Sequence, residues 1–134
     1  MSLFNVFNIS GSGMSAQSVR LNLTASNLAN AESVAGRPED AYKARHPVFQ
    51  SVLDDASSAS VRTAGIVESG AETEARYEPG HPMADENGYV YASNVNSVEE
   101  MANMISASRS FQQNVEVMNT SKELLMRTLR LGES

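Results

Sequence analysis

The 134-residue sequence predicts a mainly α fold, in which long N- and C-terminal helices pair as a coiled-coil-like tube domain around an extended central segment with short β-hairpins. Three observations carry this. Phe7, Met14, Leu21 and Leu28 fall seven apart at one end of the chain, a spacing that keeps one helical face apolar. Met104, Phe111, Met118 and Leu125 repeat it at the other end. Between them lie Gly36, Pro38, Pro47, Gly65, Gly70, Pro79, Gly80, Pro82 and Gly88, which break any long helix. The expected organisation is an N-terminal helix over 1–31, an extended and β segment over 32–95 and a C-terminal helix over 96–134, together one assembly domain.

Residues 3–31 read as a helix in which Leu21, Ala25 and Leu28 continue the apolar stripe, with an irregularity expected at Ser10-Gly11-Ser12-Gly13. In the middle, Tyr42 to Leu53 and Val61 to Val67 read as short strands joined by the Ser/Ala/Asp-rich stretch from Asp54 to Ser60. Asn87-Gly88, before Tyr89-Val90-Tyr91, is a strong turn signal, because this pair tolerates positive φ. From Ser97 a second long helix is expected, with Ser97 and Glu100 forming a capping box. Glu99 and Glu100 in its first turn and Arg127 and Arg130 near its end suit the helix dipole, and Gly132 is a natural stop. Met101, Val115 and Leu129 fill the companion heptad positions beside Met104, Phe111, Met118 and Leu125.

Charge divides the chain in the same way. Up to Ala31 the only charged side chain is Arg20, whereas residues 32–95 hold eleven acids against five bases and account for the net charge of −6. A helix on the surface of a globule normally carries a charged outer face. One whose outer face is Ser, Asn, Gln and Gly is built to be surrounded by other protein. No basic patch is available to neutralise phosphates, so nucleic acid is not an expected partner. No apolar run approaches the ~20 residues of a membrane-spanning helix, and MSLFNVFNIS has neither the basic start nor the apolar stretch of a secretory signal. The chain has no cysteine, which excludes disulfides and thiolate metal sites.

Catalysis finds no support in the residues. His46 and His81 each precede a proline and have no second ligand at a useful spacing, so no metal is expected. Asp85-Glu86-Asn87-Gly88 lacks the alternating ligands and distal glutamate of a calcium loop and reads as a turn. No serine sits in a nucleophile elbow, and no glycine loop with a following lysine could cradle a phosphate. Asp54-Asp55 and Glu72/Glu74 lie in polar runs and read as solvated charge. No enzymatic activity, cofactor or small-molecule substrate is expected. Met14, Met101, Met104, Met118 and Met126 supply flexible thioethers that adapt to non-identical neighbours.

Certain residues go beyond generic periodicity. Ser12-Gly13-Met14-Ser15-Ala16-Gln17, Arg20-Leu21-Asn22 and Ala25-Ser26-Asn27-Leu28-Ala29-Asn30 together resemble the N-terminal signature of bacterial flagellar axial proteins, the rod, hook and hook-associated subunits. Tyr42-Lys43-Ala44-Arg45 with Pro47-Val48-Phe49-Gln50 resembles the start of the rod-protein central segment. The run from Tyr77 through Pro82, then Ala84 to Val90 and Asn94-Val95-Asn96, is similar to the proximal-rod members of that family. Phe111 to Thr120, with Lys122 and Thr128-Leu129, is similar to the C-terminal signature. The resemblance covers nearly the whole chain. Ser33, Met83, Ala92 and Phe111 stand where the family usually has Thr, Asp, Pro and Tyr.

That resemblance implies a structural subunit of the proximal rod, transmitting torque from the rotor ring to the distal rod and hook. It implies export through the flagellar type III apparatus without a cleaved signal, assembly in the periplasmic space, and partners that are copies of itself and other rod subunits. The expected packing residues are Phe7, Met14, Leu21, Ala25, Leu28, Met101, Met104, Phe111, Val115, Met118, Leu125 and Leu129. Asn22, Asn27 and Asn30 are expected to hydrogen-bond between subunits, since a buried amide must be paired. The rival readings are another rod- or hook-type subunit, a small peptidoglycan-processing enzyme and an export chaperone.

Overall fold

The computed structural model describes residues 2–56 and 58–133. Helix α1 spans Leu3–Ala29, opened by the Ser2 side chain accepting from Asn5 N–H and closed at Asn30. It runs through the Ser-Gly repeat without the expected irregularity. Ser12 Oγ returns a hydrogen bond to Ile9 O at 2.8 Å, one turn back. Helix α2 spans Ser97–Gly132 and ends at the expected glycine. Its N-cap is Asn96, whose Oδ1 accepts from Val98 and Glu99 N–H at 3.1 and 3.2 Å. The Ser97/Glu100 capping box is replaced by this arrangement, and Glu100 turns inward instead, 2% exposed.

Among the described residues, five strands lie between the helices: β1 Val34–Ala35, β2 Arg45–Asp55, β3 Ser58–Glu68, β4 Ala75–Tyr77 and β5 Tyr89–Ala92. A 3-10 turn over Pro38–Asp40 follows β1. β1, β5 and β4 form an antiparallel sheet in that order, and β2 and β3 form a separate antiparallel ribbon. With helices of 27 and 36 residues and, among the described residues, five strands in two antiparallel sheets, the fold is α+β. It is not the mainly α, coiled-coil-like tube that the heptads predict. The heptads detect both helices, but they carry no information about how much sheet the middle builds.

The ribbon is the largest departure. Most of the stretch from Asp54 to Ser60, read as a connection, is strand, and Leu53 pairs with Ala59 and Val52 with Ser60. Between Val48 and Phe49 the register shifts, so that Gly65 and Thr63 pair while Ala64 is left over. Such a bulge bends and twists the ribbon locally. Arg45 at the root is held by Asn27 of α1. Near the tip, Asp54, Ser58 and Ser60 share a groove with Asn5, Asn8, Ile9 and Ser12. The span from Asn5 to Asn27 is about 33 Å along a helix, and Arg45 to Asp54 is about 30 Å along a strand. The ribbon therefore lies lengthwise on α1, and part of that helix's uncharged surface is covered from within the chain.

At the far end of the sheet, Gly88 adopts φ +84°, a conformation that favours glycine. A side chain there would also meet Tyr77 at 3.0 Å and Pro79 at 3.1 Å. Tyr77 and Tyr89 pack edge to face with centroids 5.3 Å apart.

Candidate assembly interface

The helices are antiparallel. Arg20 Nη2 donates to Asn103 Oδ1 at 3.0 Å, Gly13 faces Asn114, and Gly11 faces Met118. The buried positions are Ser10, Ala16, Thr24 and Asn27 on α1 and Glu100, Ala107 and Ser121 on α2. The seam itself brings Gly11 and Gly13 of α1 against Met118 and Asn114 of α2, and Ala107, on the same helical face as Asn114, is completely buried. Small residues let two backbones approach closely, which is why the seam follows them and not the bulkiest stripe.

The predicted packing residues divide accordingly. Met104, Phe111, Met118 and Leu125 are half-buried and border the seam, and Val115 is half-buried too. Their companion row inside the chain is Glu100, Ala107, Asn114 and Ser121. The expected row of Met101 and Leu129 lies outside, 56% and 57% exposed. On α1, Phe7, Met14, Leu21 and Leu28 are half-buried and Ala25 is exposed. The sequence signal for this close approach was the pair Gly11 and Gly13, which hydrophobic periodicity does not weigh.

The three asparagines have different fates. Asn27 is 0% exposed. Its Oδ1 accepts from Tyr42 Oη–H and Arg45 N–H, each at 2.9 Å, and its Nδ2 donates to Arg45 O at 2.9 Å. Asn30 Nδ2 donates to Ser26 O at 2.8 Å. Both amides thus make hydrogen bonds within the chain. Asn22 is exposed.

His46 and His81 are both engaged locally. His46 Nδ1 lies 3.8 Å from Glu100 Oε1, joining the ribbon root to the first turn of α2. His81 Nδ1 accepts from Met83 N–H at 3.1 Å. Asp85 acts as the turn residue that its sequence context suggests. Its Oδ1 accepts from Tyr89 and Asn87 N–H at 2.8 and 2.9 Å, and Tyr91 Oη–H donates to Oδ2 at 3.3 Å. The Tyr89 N–H, then the other donors, hold the Asp85 carboxyl below its ordinary value against an opposing effect of desolvation. Burial, then the Asp85 charge, push the Tyr91 phenol up. A carboxyl depressed by folding contributes stability above its unfolded pKa of about 3.9 and loses it as pH falls through the lower folded value. The Tyr89 amide chemical shift should therefore titrate with a midpoint below that of an ordinary aspartate, and Asp85→Asn should abolish the titration. An unchanged titration in Asp85→Asn would assign it to another group.

The burial pattern of the whole chain is unusual. Among the described residues, the buried apolar side chains are six alanines and Val90, while eighteen large apolar or aromatic side chains are exposed. They include Leu53, Ile66 and Val67 on the ribbon and Val98, Met101, Ile105 and Leu129 on α2. Where exposed apolar side chains are contiguous over large areas, they are associated with protein, membrane or ligand contact sites. No helix among the described residues is long and apolar enough to cross a membrane.

Comparison with known proteins points the same way. Residues 7–36 match the family described as flagella basal body rod protein, and residues 86–131 match the flagellar basal body rod FlgEFG protein C-terminal family. The flagellar basal-body rod protein FlgC of Salmonella typhimurium is 49% identical over 134 residues, covering 99% of this chain and all of the relative. FlgC of Escherichia coli O157:H7 is 50% identical over the same span and shares. FlgC of Buchnera aphidicola subsp. Baizongia pistaciae is 38% identical over 136 residues, again with 99% and 100% coverage. With these signatures at both ends and full-length identity to several relatives, the chain belongs to the FlgC family of flagellar basal-body rod proteins.

Proposed function

We propose that this chain is a structural subunit of the flagellar basal-body rod, held to its neighbours by the large apolar side chains that its own fold leaves outside. The carrying observation is that inversion of burial: alanines inside, Leu, Ile, Met and Phe outside. A chain that functioned alone would gain stability by exchanging them. In this reading residues 1–31 and 96–134 supply helical contacts, and residues 32–95 supply the ribbon and sheet. The half-buried Phe7, Met14, Leu21 and Leu28, the exposed Ala25, Met101 and Leu129 and the amide of Asn22 meet neighbouring subunits. Met104, Phe111, Val115, Met118 and Leu125 bridge between the seam and that outer surface.

The position proposed is the proximal rod, in the periplasmic space, reached through the flagellar type III export apparatus without a cleaved signal. The partners are copies of this chain and other rod subunits, and the role is to pass torque from the rotor ring to the distal rod and hook. No catalytic step is assigned. The test is complementation of a bacterium deleted for its FlgC-family subunit. Restored swimming, with this chain recovered in purified basal bodies, is the expected result. Stable expression with no incorporation and no swimming would overturn the reading.

A further inference from the structure

A two-stranded ribbon is marginally stable at best in water, so its direction depends on whatever anchors it. Here the anchors are concentrated at the root. Ser69, just after β3, donates its N–H to Ala44 O at 2.7 Å and closes the two strands together. Asn27 reaches from α1 and pairs with both the N–H and the C=O of Arg45, as another strand would. Asn94, in the segment leading into α2, accepts from Ala44 N–H at 2.7 Å. Its Nδ2 donates to Ala71 O at 2.8 Å and to Ser69 O at 3.3 Å. One amide thus fixes the incoming strand to the first helix, and the other ties both strands to the start of the second. Further along, the ribbon meets α1 through Val61 N–H, which donates to Ser12 Oγ at 3.1 Å.

We infer that Asn27 and Asn94 are positioning residues that set the bearing of the β2–β3 ribbon on the helix pair, so that the subunit enters assembly with the ribbon's exposed apolar side chains already aimed. Only an amide offers a donor and an acceptor side by side in this way. A carboxylate of the same shape keeps the acceptor and loses the donor, turning an attractive contact with a carbonyl oxygen into a repulsive one. The assembly half of this inference rests on the rod-subunit reading; the bearing itself does not.

The test uses the full chain, whose lack of cysteine allows clean labelling. Spin labels are placed through Ser18→Cys on α1 and Leu53→Cys near the ribbon tip, both exposed. The parent should give one narrow distance distribution. Asn27→Asp and Asn94→Asp should each broaden it, and Ser12→Ala should leave it narrow. Incorporation into basal bodies should fall roughly tenfold or more with either Asp variant, as expected for about 1.5 kcal/mol of lost contact. A narrow distribution in both Asp variants would overturn the inference, as would equal broadening by Ser12→Ala. Broadened distributions with parental incorporation would overturn the assembly half. If Asn27→Asp loses helical circular dichroism, Asn94→Asp decides alone. Parental chain that does not enter basal bodies would count against the rod-subunit reading, while the distance measurement still decides the bearing.

Discussion

Met101→Asp and Ile105→Asp are each expected to abolish incorporation into the rod while leaving the isolated subunit as stable as its parent, within about 0.5 kcal/mol. The two side chains lie one helical turn apart on α2 and are 56% and 57% exposed. A carboxylate at either position of the free chain is solvated and displaces little apolar contact. On the proposed rod-subunit reading the same position is covered by a neighbour, where an uncompensated buried charge costs roughly 3–5 kcal/mol. That is more than a hundredfold in affinity per contact, and it recurs in every subunit. The measurements are urea unfolding of the purified variants and their recovery in basal bodies from a complemented strain. Normal swimming by both variants would show that this face of α2 stays in water.

The same face explains which parts of the fold could be read in advance. Both helices and their approximate ends follow from periodicity, and the Asn87-Gly88 turn follows from positive φ. The orientation of the helices does not. Hydrophobic periodicity finds the apolar row, on the assumption that the row faces the chain's own core. In a chain whose large apolar residues stay outside, Met101 and Leu129 carry the pattern but not the contact, and the buried partners are Ala107, Glu100 and Ser121. Asn27 was legible as a residue needing partners, but those partners lie eighteen positions away in the backbone of Arg45. No local signal names them. The ribbon was under-read for a related reason. Ser58, Ala59 and Ser60 look like a loop by composition, yet small side chains suit a strand that lies against a helix. Asn96 and Ser97 are both good caps with a glutamate three residues on, and the choice between them is settled only by Glu100 turning inward.

Gly13→Leu is expected to lower the unfolding free energy by about 2–3 kcal/mol, at the upper end of what overpacking costs. Glycine within a helix costs roughly 0.5–1 kcal/mol relative to alanine, so its place in the middle of α1 requires a compensating contact. A Cβ at position 13 would stand 3.0 Å from Asn114 Nδ2 and 3.1 Å from Oδ1. Asn114 cannot swing away freely, because its Nδ2 donates to Ser110 O at 2.9 Å. Gly11 is the internal control: a Cβ there meets Met118 Cε at 3.8 Å, ordinary contact with a flexible side chain. Gly11→Ala should therefore be neutral or stabilising by up to about 1 kcal/mol. Urea unfolding followed by helical circular dichroism distinguishes the two sites. Adding Asn114→Ala to Gly13→Leu should recover part of the loss as a coupling energy between residues in contact. Similar changes at positions 11 and 13, or no coupling to Asn114, would mean that the helices do not approach most closely at Gly13, and the small-residue seam would not be what holds them together.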